Sequence, residues 1–338
     1  MNADAAVHPV AVPLSRPDQG PGHHARSPAC APPDAASPPD HGRSAWLERW
    51  GAAELQRQLQ ALEPGLRLEV VQTIGSTNSA LLDAASKARK LEAAGGDPGT
   101  FATRLLVAEQ QTQGRGRQGR IWHATPGASL SFSMALALAP EDWSGLSLAV
   151  GVALAEALDP ATNPAGPATG PRDAQIGLKW PNDLWLLDAT APGGGRKLGG
   201  VLIETVPWGT GGRLRVCVIG VGLNIQPQPV ANASSGVAWM QELQPASTAP
   251  LVLAQVAGPL LAGVRQFERE GFAGVAARFT RRDLLKGQPV TTTLPGLPEG
   301  TALGVDPTGA LRVLALDGRE HVVASGEVSV RPQPGRSA

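Results

Sequence analysis

QIGLKWPNDLWLL, residues 175–187, is the stretch that decides the fold class. Two short apolar runs, Gln175–Trp180 and Leu184–Leu187, flank Pro181-Asn182-Asp183. Those three residues favour tight turns, because Pro presets φ and Asn and Asp hydrogen-bond their own backbone. The stretch reads as two strands joined without a crossover helix, which argues against a doubly wound parallel sheet. Working outward, Val201–Val206 and Leu214–Val221 read as antiparallel neighbours across the Trp208–Gly212 turn. On the N-terminal side, Leu146–Leu158 has the pattern of a helix, Ser129–Leu138 that of a strand, and Arg104–Ala108 that of a buried strand leading into the loop Gly114–Arg120. Earlier still, Trp46–Leu62 is helical in spacing and Leu68–Ile74 is a strand. Ser76-Thr77-Asn78 then offers N-cap chemistry to a helix beginning near Ser79. Leu251–Phe279 continues a helical pattern. After Lys286, the runs Val290–Leu294, Thr301–Val305, Leu311–Leu316 and His321–Val330, separated by turn residues, suggest a small β-barrel as a separate C-terminal domain. The class is α+β, a mixed sheet with helices.

Composition bounds the function. The 338 residues carry 29 Lys+Arg against 29 Asp+Glu, so there is no broad positive surface for gripping nucleic acid or anionic membrane. An Arg/Gly RNA-binding protein would be more basic than this. Lysine itself is scarce: Lys87, Lys90, Lys179, Lys197 and Lys286 are all there are, so each merits separate inspection. Two cysteines, Cys30 and Cys217, make no disulfide framework and no thiolate zinc spacing. Cys217, inside an apolar run, reads as a small buried residue. Residues 1–44 form a Pro/Ala-rich leader too poor in large apolar residues to offset its ordering entropy, and too short and biased for a helix-turn-helix module. The N-terminus has no secretory pattern and no run is long enough to span a bilayer, so the expected location is cytoplasmic.

Four segments carry chemistry. Gly114-Arg115-Gly116-Arg117-Gln118-Gly119-Arg120 combines glycines that let backbone approach a ligand with guanidinium forks suited to carboxylate or phosphate. No Gly-Lys-Ser/Thr follows and the next element is a strand, so it is neither a Walker loop nor a dinucleotide fingerprint. Lys179-Trp180-Pro181-Asn182-Asp183 crowds two charges and an amide into one turn. Lys197-Leu198-Gly199-Gly200-Val201 sets a lysine where a Gly-rich loop enters a strand. Gly220-Val221-Gly222-Leu223-Asn224 ends an apolar strand on one amide. Each has a bland reading as well: a solvated loop, an ordinary turn, an edge lysine, a strand cap.

Taken together and in order, Ser76-Thr77-Asn78, Gln111 with GRGRQGR and Trp122, KWPNDLWL at 179–186, KLGGVLIE at 197–204 and GVGLN at 220–224 resemble the biotin–protein ligase family, biotin–[acetyl-CoA-carboxylase] ligase. Weaker similarity runs from about Leu284 to Pro332, so the resemblance covers roughly residues 66–332. It implies a class II aminoacyl-tRNA synthetase-like mixed sheet with helices, plus a C-terminal SH3-like β-barrel. The division is then leader 1–44, catalytic domain 45–282, SH3-like domain 283–332 and tail 333–338, a monofunctional form without the family's DNA-binding domain. The implied reaction joins biotin to ATP as biotinyl-5'-AMP and passes the acyl group to a lysine of a biotin carboxyl carrier protein.

The resemblance also assigns residues. Ser76, Thr77, Asn78 and Gln111 match the biotin pocket, and Trp122 walls its apolar part. Arg115, Gly116 and Arg117 match the loop that closes over the biotin carboxylate and phosphate. Lys197 matches the lysine that contacts the reacting carboxylate and α-phosphate. Arg117, Arg120, Lys179, Asn182 and Asp183 match the nucleotide side, with Asp183 also placed to accept from the incoming amine. Asn224 and Trp239 match the adenine side. ATP, biotin and Mg2+ are the expected small molecules, with no protein metal cage, and the partner is the carrier of acetyl-CoA carboxylase or a related carboxylase, with no nucleic acid and no membrane. Edge strands are open to pairing two subunits as a homodimer or to docking the carrier. Two insertions depart from the family pattern: Pro160–Asp173, and Pro-Gly-Gly-Gly just before Lys197. A lipoate–protein ligase is the nearest alternative, and a biotin-responsive repressor on the same core the next.

Overall fold

The structure, a computed structural model, describes residues 46–93, 101–160, 175–191, 193–209, 212–228, 236–324 and 330–332. The leader, most of the Pro160–Asp173 insertion, Pro192 and the tail lie outside the described residues.

Seven strands build the central sheet: β1 (Arg67–Ile74), β2 (Arg104–Gln111), β3 (Ser129–Leu138), β4 (Ile176–Lys179), β5 (Asp183–Leu187), β6 (Gly195–Pro207) and β7 (Arg215–Asn224). Their order is β1-β2-β3-β7-β6-β5-β4. β1 and β2 are parallel and every other pair is antiparallel, so the sheet is mixed, as the 175–187 hairpin requires. β3 is buried along nearly its whole length, which its SLSFSMALAL sequence demands of a central strand. Against one face pack helices α1 (Ala52–Leu62), α3 (Leu146–Leu158) and α5 (Ala249–Glu270), closing the main core around Phe132, Met134, Leu154 and Phe267. α2 (Thr77–Ala93) lies on the other face, over a smaller cluster of Leu81, Ala85, Leu106, Ala135, Trp208, Val216 and Val218. Two short helices, α4 (Met240–Leu243) and α6 (Ala276–Thr280), flank α5. Cys217 is buried in β7, where desolvation pushes its thiol up to about 12, so it stays an inert core residue.

Several boundaries differ from the sequence reading. The helical span Trp46–Leu62 is interrupted at Trp50-Gly51, where Gly51 turns left-handed at φ 56°. α2 starts at Thr77, two residues early, with Ser76 Oγ accepting from the Ser79 backbone N–H at 3.4 Å. Leu251–Phe279 is not continuous: Gly271, at φ 62°, stops α5, although Phe272, Val275 and Phe279 keep the apolar spacing beyond it. His321–Val330 is two strands rather than one.

The C-terminal strands are β8 (Pro289–Thr292), β9 (Glu299–Val305), β10 (Leu311–Ala315), β11 (Glu320–Val323) and β12 (Val330–Pro332). They form a second sheet in the order β11-β10-β9-β8-β12, antiparallel throughout. The two sheets are tied at β4. Leu178 donates to the Arg282 carbonyl (2.7 Å) and accepts from Leu284 N (3.0 Å). Arg282, almost fully buried, donates to Asp159 Oδ2 and to the Ile176 carbonyl, both at 2.9 Å, and the same Asp159 oxygen accepts from Gln175 N and Ile176 N. The buried Trp180 indole N–H donates 3.1 Å to the Gly309 carbonyl in the β9–β10 turn. Gly309 has φ 86° and any Cβ there would fall 2.9 Å from Gly145 Cα, so only glycine fits this close approach. Among the described residues, no helix is long and apolar enough to cross a membrane.

Asp283 sits in this junction, and burial pushes its carboxyl up to about 6 although the Leu285 N–H bonds it at 2.9 Å. A raised acid is an acid whose charged form the fold penalises. Stability is therefore highest below the unfolded-state pKa and is lost as pH rises through about 6. Asp283→Asn keeps the acceptor and removes the charge. It is expected to stabilise the protein at pH 7.5 by about 3 kcal/mol, the gain closing between pH 6 and 4. Thermal melts of both proteins across that range check it; a gain that persists at pH 4 contradicts the assignment.

Candidate active site

The α2 face of the sheet is not closed by side chains at its end near Ser76. Gly220 and Gly222 are responsible. A Cβ on Gly220 would lie 2.2 Å from Asn78 Oδ1, and one on Gly222 would lie 2.4 Å from the Trp122 ring. Both side chains therefore rest directly on the β7 backbone. The cavity this leaves has about 930 Å³ of empty space with its mouth included, within the usual size of a small-molecule pocket.

Three walls converge on it. The first is the start of α2. The Thr77 backbone N–H donates to Gln111 Oε1 at 2.8 Å, and Ser133 Oγ lies 2.6 Å from both Thr77 Oγ1 and Asn78 Oδ1. The second is the Arg/Gly loop after β2. It closes on itself through Gly116 N to Arg120 O (2.7 Å) and Trp122 N to Gly114 O (2.9 Å). At its tip Gln118 takes φ 56°, which among the described residues no other non-glycine residue does. The Trp122 indole Nε1–H donates to Ser131 Oγ at 3.2 Å, which fixes the ring over Gly222.

The third wall is the β4–β5 turn with β6. Lys197 Nζ lies 2.8 Å from Asp183 Oδ1, and Lys179 Nζ is 3.8 Å from the other oxygen, Oδ2. Burial alone would raise the Asp183 carboxyl, but Lys197 and Lys179 outweigh it and hold the group below the usual carboxylate range. Burial also lowers the Lys179 ammonium, more than Asp183 raises it back. Its Nζ stands 5.6 Å from the Trp185 ring, a cation–π contact. Arg117 spans two walls: its Nη1 donates to Asn182 Oδ1 (3.1 Å), while Asn182 Nδ2 donates to the Val201 carbonyl (2.8 Å). Lys197 lies within β6 rather than at its mouth. It pairs with Trp185, and its backbone also bridges Gly236 and Ala238. The strand is irregular beside it: Leu184 pairs with Gly199 but Trp185 with Lys197, so Leu198 is an extra residue in β6 that shifts the β5–β6 register.

The structure thus gathers Ser76, Thr77, Asn78, Gln111, Arg115, Gly116, Arg117, Arg120, Trp122, Lys179, Asn182, Asp183 and Lys197 around one cavity. Asn224 and Trp239 do not line it. Asn224 is buried and its Nδ2 donates to the Lys197 carbonyl (3.3 Å); Trp239 lies two residues past Val237, which bridges Lys197. Sequence reasoning missed Ser131 and Ser133. Their signal was present: Ser129, Ser131 and Ser133 alternate along β3, a polar stripe on a strand otherwise apolar. It also missed Glu204, the last residue of KLGGVLIE. Its Oε1 is 2.9 Å from Arg115 Nη2 and its Oε2 accepts from Asn78 Nδ2 at 3.0 Å.

A mixed sheet bearing an Arg/Gly loop over a lysine–aspartate–lysine cluster places the chain in a class. Residues 99–224 match the signature of the Biotin/lipoate A/B protein ligase family, and residues 287–331 that of the Biotin protein ligase C terminal domain. The chain is 33% identical over 268 residues to the bifunctional ligase/repressor BirA of Salmonella typhimurium, covering 78% of this chain and 73% of that protein. It is 33% identical over 293 residues to the biotin–[acetyl-CoA-carboxylase] ligase of Mycobacterium tuberculosis, covering 81% of this chain and 93% of that one. In fold it is similar to the biotin protein ligase from Aquifex aeolicus, solved in complex with biotin and ATP, with a TM-score of 0.58 and 24% identity over 79% of this chain and 99% of that chain. The chain belongs to the biotin–protein ligase family.

Proposed function

We propose that the protein attaches biotin to one lysine of a biotin carboxyl carrier protein, using ATP and passing through biotinyl-5'-AMP. The carrying observation is that two of the chain's five lysines meet on one partly buried carboxylate, Asp183, in a cavity shared with the Arg/Gly loop. In the first step a biotin carboxylate oxygen bonds to the α-phosphorus of ATP, and the bond from that phosphorus to the oxygen bridging to the β-phosphate breaks, releasing pyrophosphate. Anions must approach one another, and negative charge grows on the α-phosphoryl oxygens. Lys197, Arg117 and Lys179 are fixed cations that offset it without reorganising. Asp183 holds both ammonium groups in place. Ser76, Thr77, Asn78 and Gln111 present the hydroxyl and amide donors and acceptors that a ureido ring takes, and Trp122 supplies an apolar wall. In the second step the carrier amine bonds to the acyl carbon, AMP departs with the bonding electrons, and the amine sheds its proton; Asp183 is placed to receive a hydrogen bond from that amine. Asn224 and Trp239, beside the Lys197 segment, are assigned to the adenine side.

Magnesium enters in this reading with ATP. Among the described residues no three His, Cys, Asp or Glu side chains converge as a metal site, and no step is routed through the ion. The central sheet is read as class II aminoacyl-tRNA synthetase-like and β8–β12 as SH3-like. Among the described residues β1 has no neighbour on its outer side, which leaves that edge for the carrier or for a second copy in a homodimer.

The test is transfer to a purified carrier domain by the full chain with ATP, magnesium and biotin, read as a mass increase of one biotinyl group. Exchange of pyrophosphate into ATP driven by lipoate and not by biotin overturns the choice of acid. Arg115→Ala is expected to weaken biotin binding roughly tenfold and to release biotinyl-AMP into solution. Chromatography of the reaction, comparing free with enzyme-held intermediate, checks it, and unchanged release removes Arg115 from that role.

A further inference from the structure

Glu204 touches the cavity from behind. It is not in the lining, yet its carboxylate bonds both to Asn78 on the pocket floor and to Arg115 in the loop. On β6 it shares a face with Leu202 and Val206, and so faces α2. The contacts form an unbroken chain. Arg115 Nη2 bonds Glu204 Oε1 (2.9 Å), Glu204 Oε2 accepts from Asn78 Nδ2 (3.0 Å), and Asn78 Oδ1 accepts from Ser133 (2.6 Å). Ser133 in turn meets Thr77, whose backbone N–H is held by Gln111. A carboxylate is an acceptor only, so together with the Leu202 carbonyl, which accepts from the same Nδ2 at 3.3 Å, it dictates which end of Asn78 faces it: the amide NH2 turns to Glu204 and the carbonyl oxygen to Ser133 and Gly220. The same charge draws Arg115 down from the loop onto the floor, where its other terminal nitrogen, Nη1, reaches Ser79 Oγ at 3.3 Å.

We propose that Glu204 is a positioning residue that tethers the Arg/Gly loop to the pocket floor and sets the orientation of Asn78, so that occupation of the floor and closure of the loop are coupled through one side chain. The proposal rests on the ligase reading for what the pocket holds, but the tether itself is a property of the chain. Loss of the tether lets the loop open while the intermediate is bound. The Arg115–Glu204 pair is half exposed, so its loss corresponds to a factor of up to roughly five.

Glu204→Gln preserves shape and removes the charge. Two readouts separate the tether from the reading it rests on. Limited trypsin digestion of the full chain, without substrate, reports how often the loop bearing Arg115, Arg117 and Arg120 opens. Cleavage there is expected to accelerate about three- to fivefold in E204Q with the thermal melt within a few degrees of wild type. The second readout is the ratio of biotinyl-AMP released to biotin transferred, expected to rise by a similar factor. In a double-mutant cycle with Arg115→Ala the two changes are expected not to add, as for residues acting through one contact. If E204Q proves too unstable to purify, Glu204→Asp, which shortens the reach and keeps the charge, is expected to give the same direction of change. Unchanged loop cleavage overturns the proposal whatever the catalytic assay gives, as does full additivity with R115A. A wild-type chain that fails to exchange pyrophosphate with biotin overturns the ligase reading instead, and the cleavage comparison still decides the tether.

Discussion

Lys197→Ala is expected to reduce biotin-dependent pyrophosphate exchange by on the order of a thousandfold while leaving the thermal melt nearly unchanged. Two observations give that split. The Lys197 ammonium is the group of the cluster best placed to meet a ligand, with about a third of its side chain exposed in the cavity wall. Its removal also leaves Asp183 with a second cation, Lys179, at 3.8 Å, so no isolated charge is stranded in the interior. The fold keeps its balance and the reacting oxygens lose theirs. Exchange within tenfold of wild type removes Lys197 from the adenylation step.

Asp183→Asn is expected to behave in the opposite way. Asp183 is the single anion between Lys197 and Lys179, and Lys179 is almost wholly buried. Neutralising the anion strands that ammonium, and breaking a buried pair from one side costs about 3–5 kcal/mol. A drop of roughly 10 °C in the melting temperature is the measurable form. The sign with pH follows from the lowered Asp183 carboxyl: its contribution is present above the ordinary carboxylate range and is lost as pH falls through the lower folded-state value. Wild type is therefore expected to lose its margin over D183N on strong acidification. Melts of the two proteins that stay parallel from pH 7 into the acid limb contradict the account.

Some elements were legible from sequence alone. β3 and α3 run from Ser129 to Leu138 and from Leu146 to Leu158, as read, because both are buried almost throughout, and α3 is bounded by Gly145 and Asp159. The meeting of Lys179 with Lys197 was legible only through the family resemblance, because each motif alone also reads as an ordinary turn or an edge lysine. Local pattern could not show what a residue meets across the sheet. Glu204 looks like one more alternating residue on a strand, and only the β6–β7 register beside α2 brings it to Asn78. Gly271 stops a helix whose apolar spacing carries on through Phe272, Val275 and Phe279, so the pattern gave no sign of the break. The backbone partners of Lys197, Gly236 and Ala238, lie far along the chain, and their pairing belongs to tertiary structure.

The clamp at Asp159 has a consequence for how this molecule tolerates change. One carboxylate oxygen gathers the backbone of Gln175 and Ile176 together with the Arg282 guanidinium, at the point where α3 has ended and β4 begins. Both ends of the 161–174 connection are thus pinned independently of what lies between them. Each doubling of such a connection adds only about 0.6 kcal/mol of closure entropy. The segment is a natural graft point: evolution or an engineer can splice in new sequence there, a reporter or an affinity module, while the hairpin bearing Lys179 and Asp183 stays at its station.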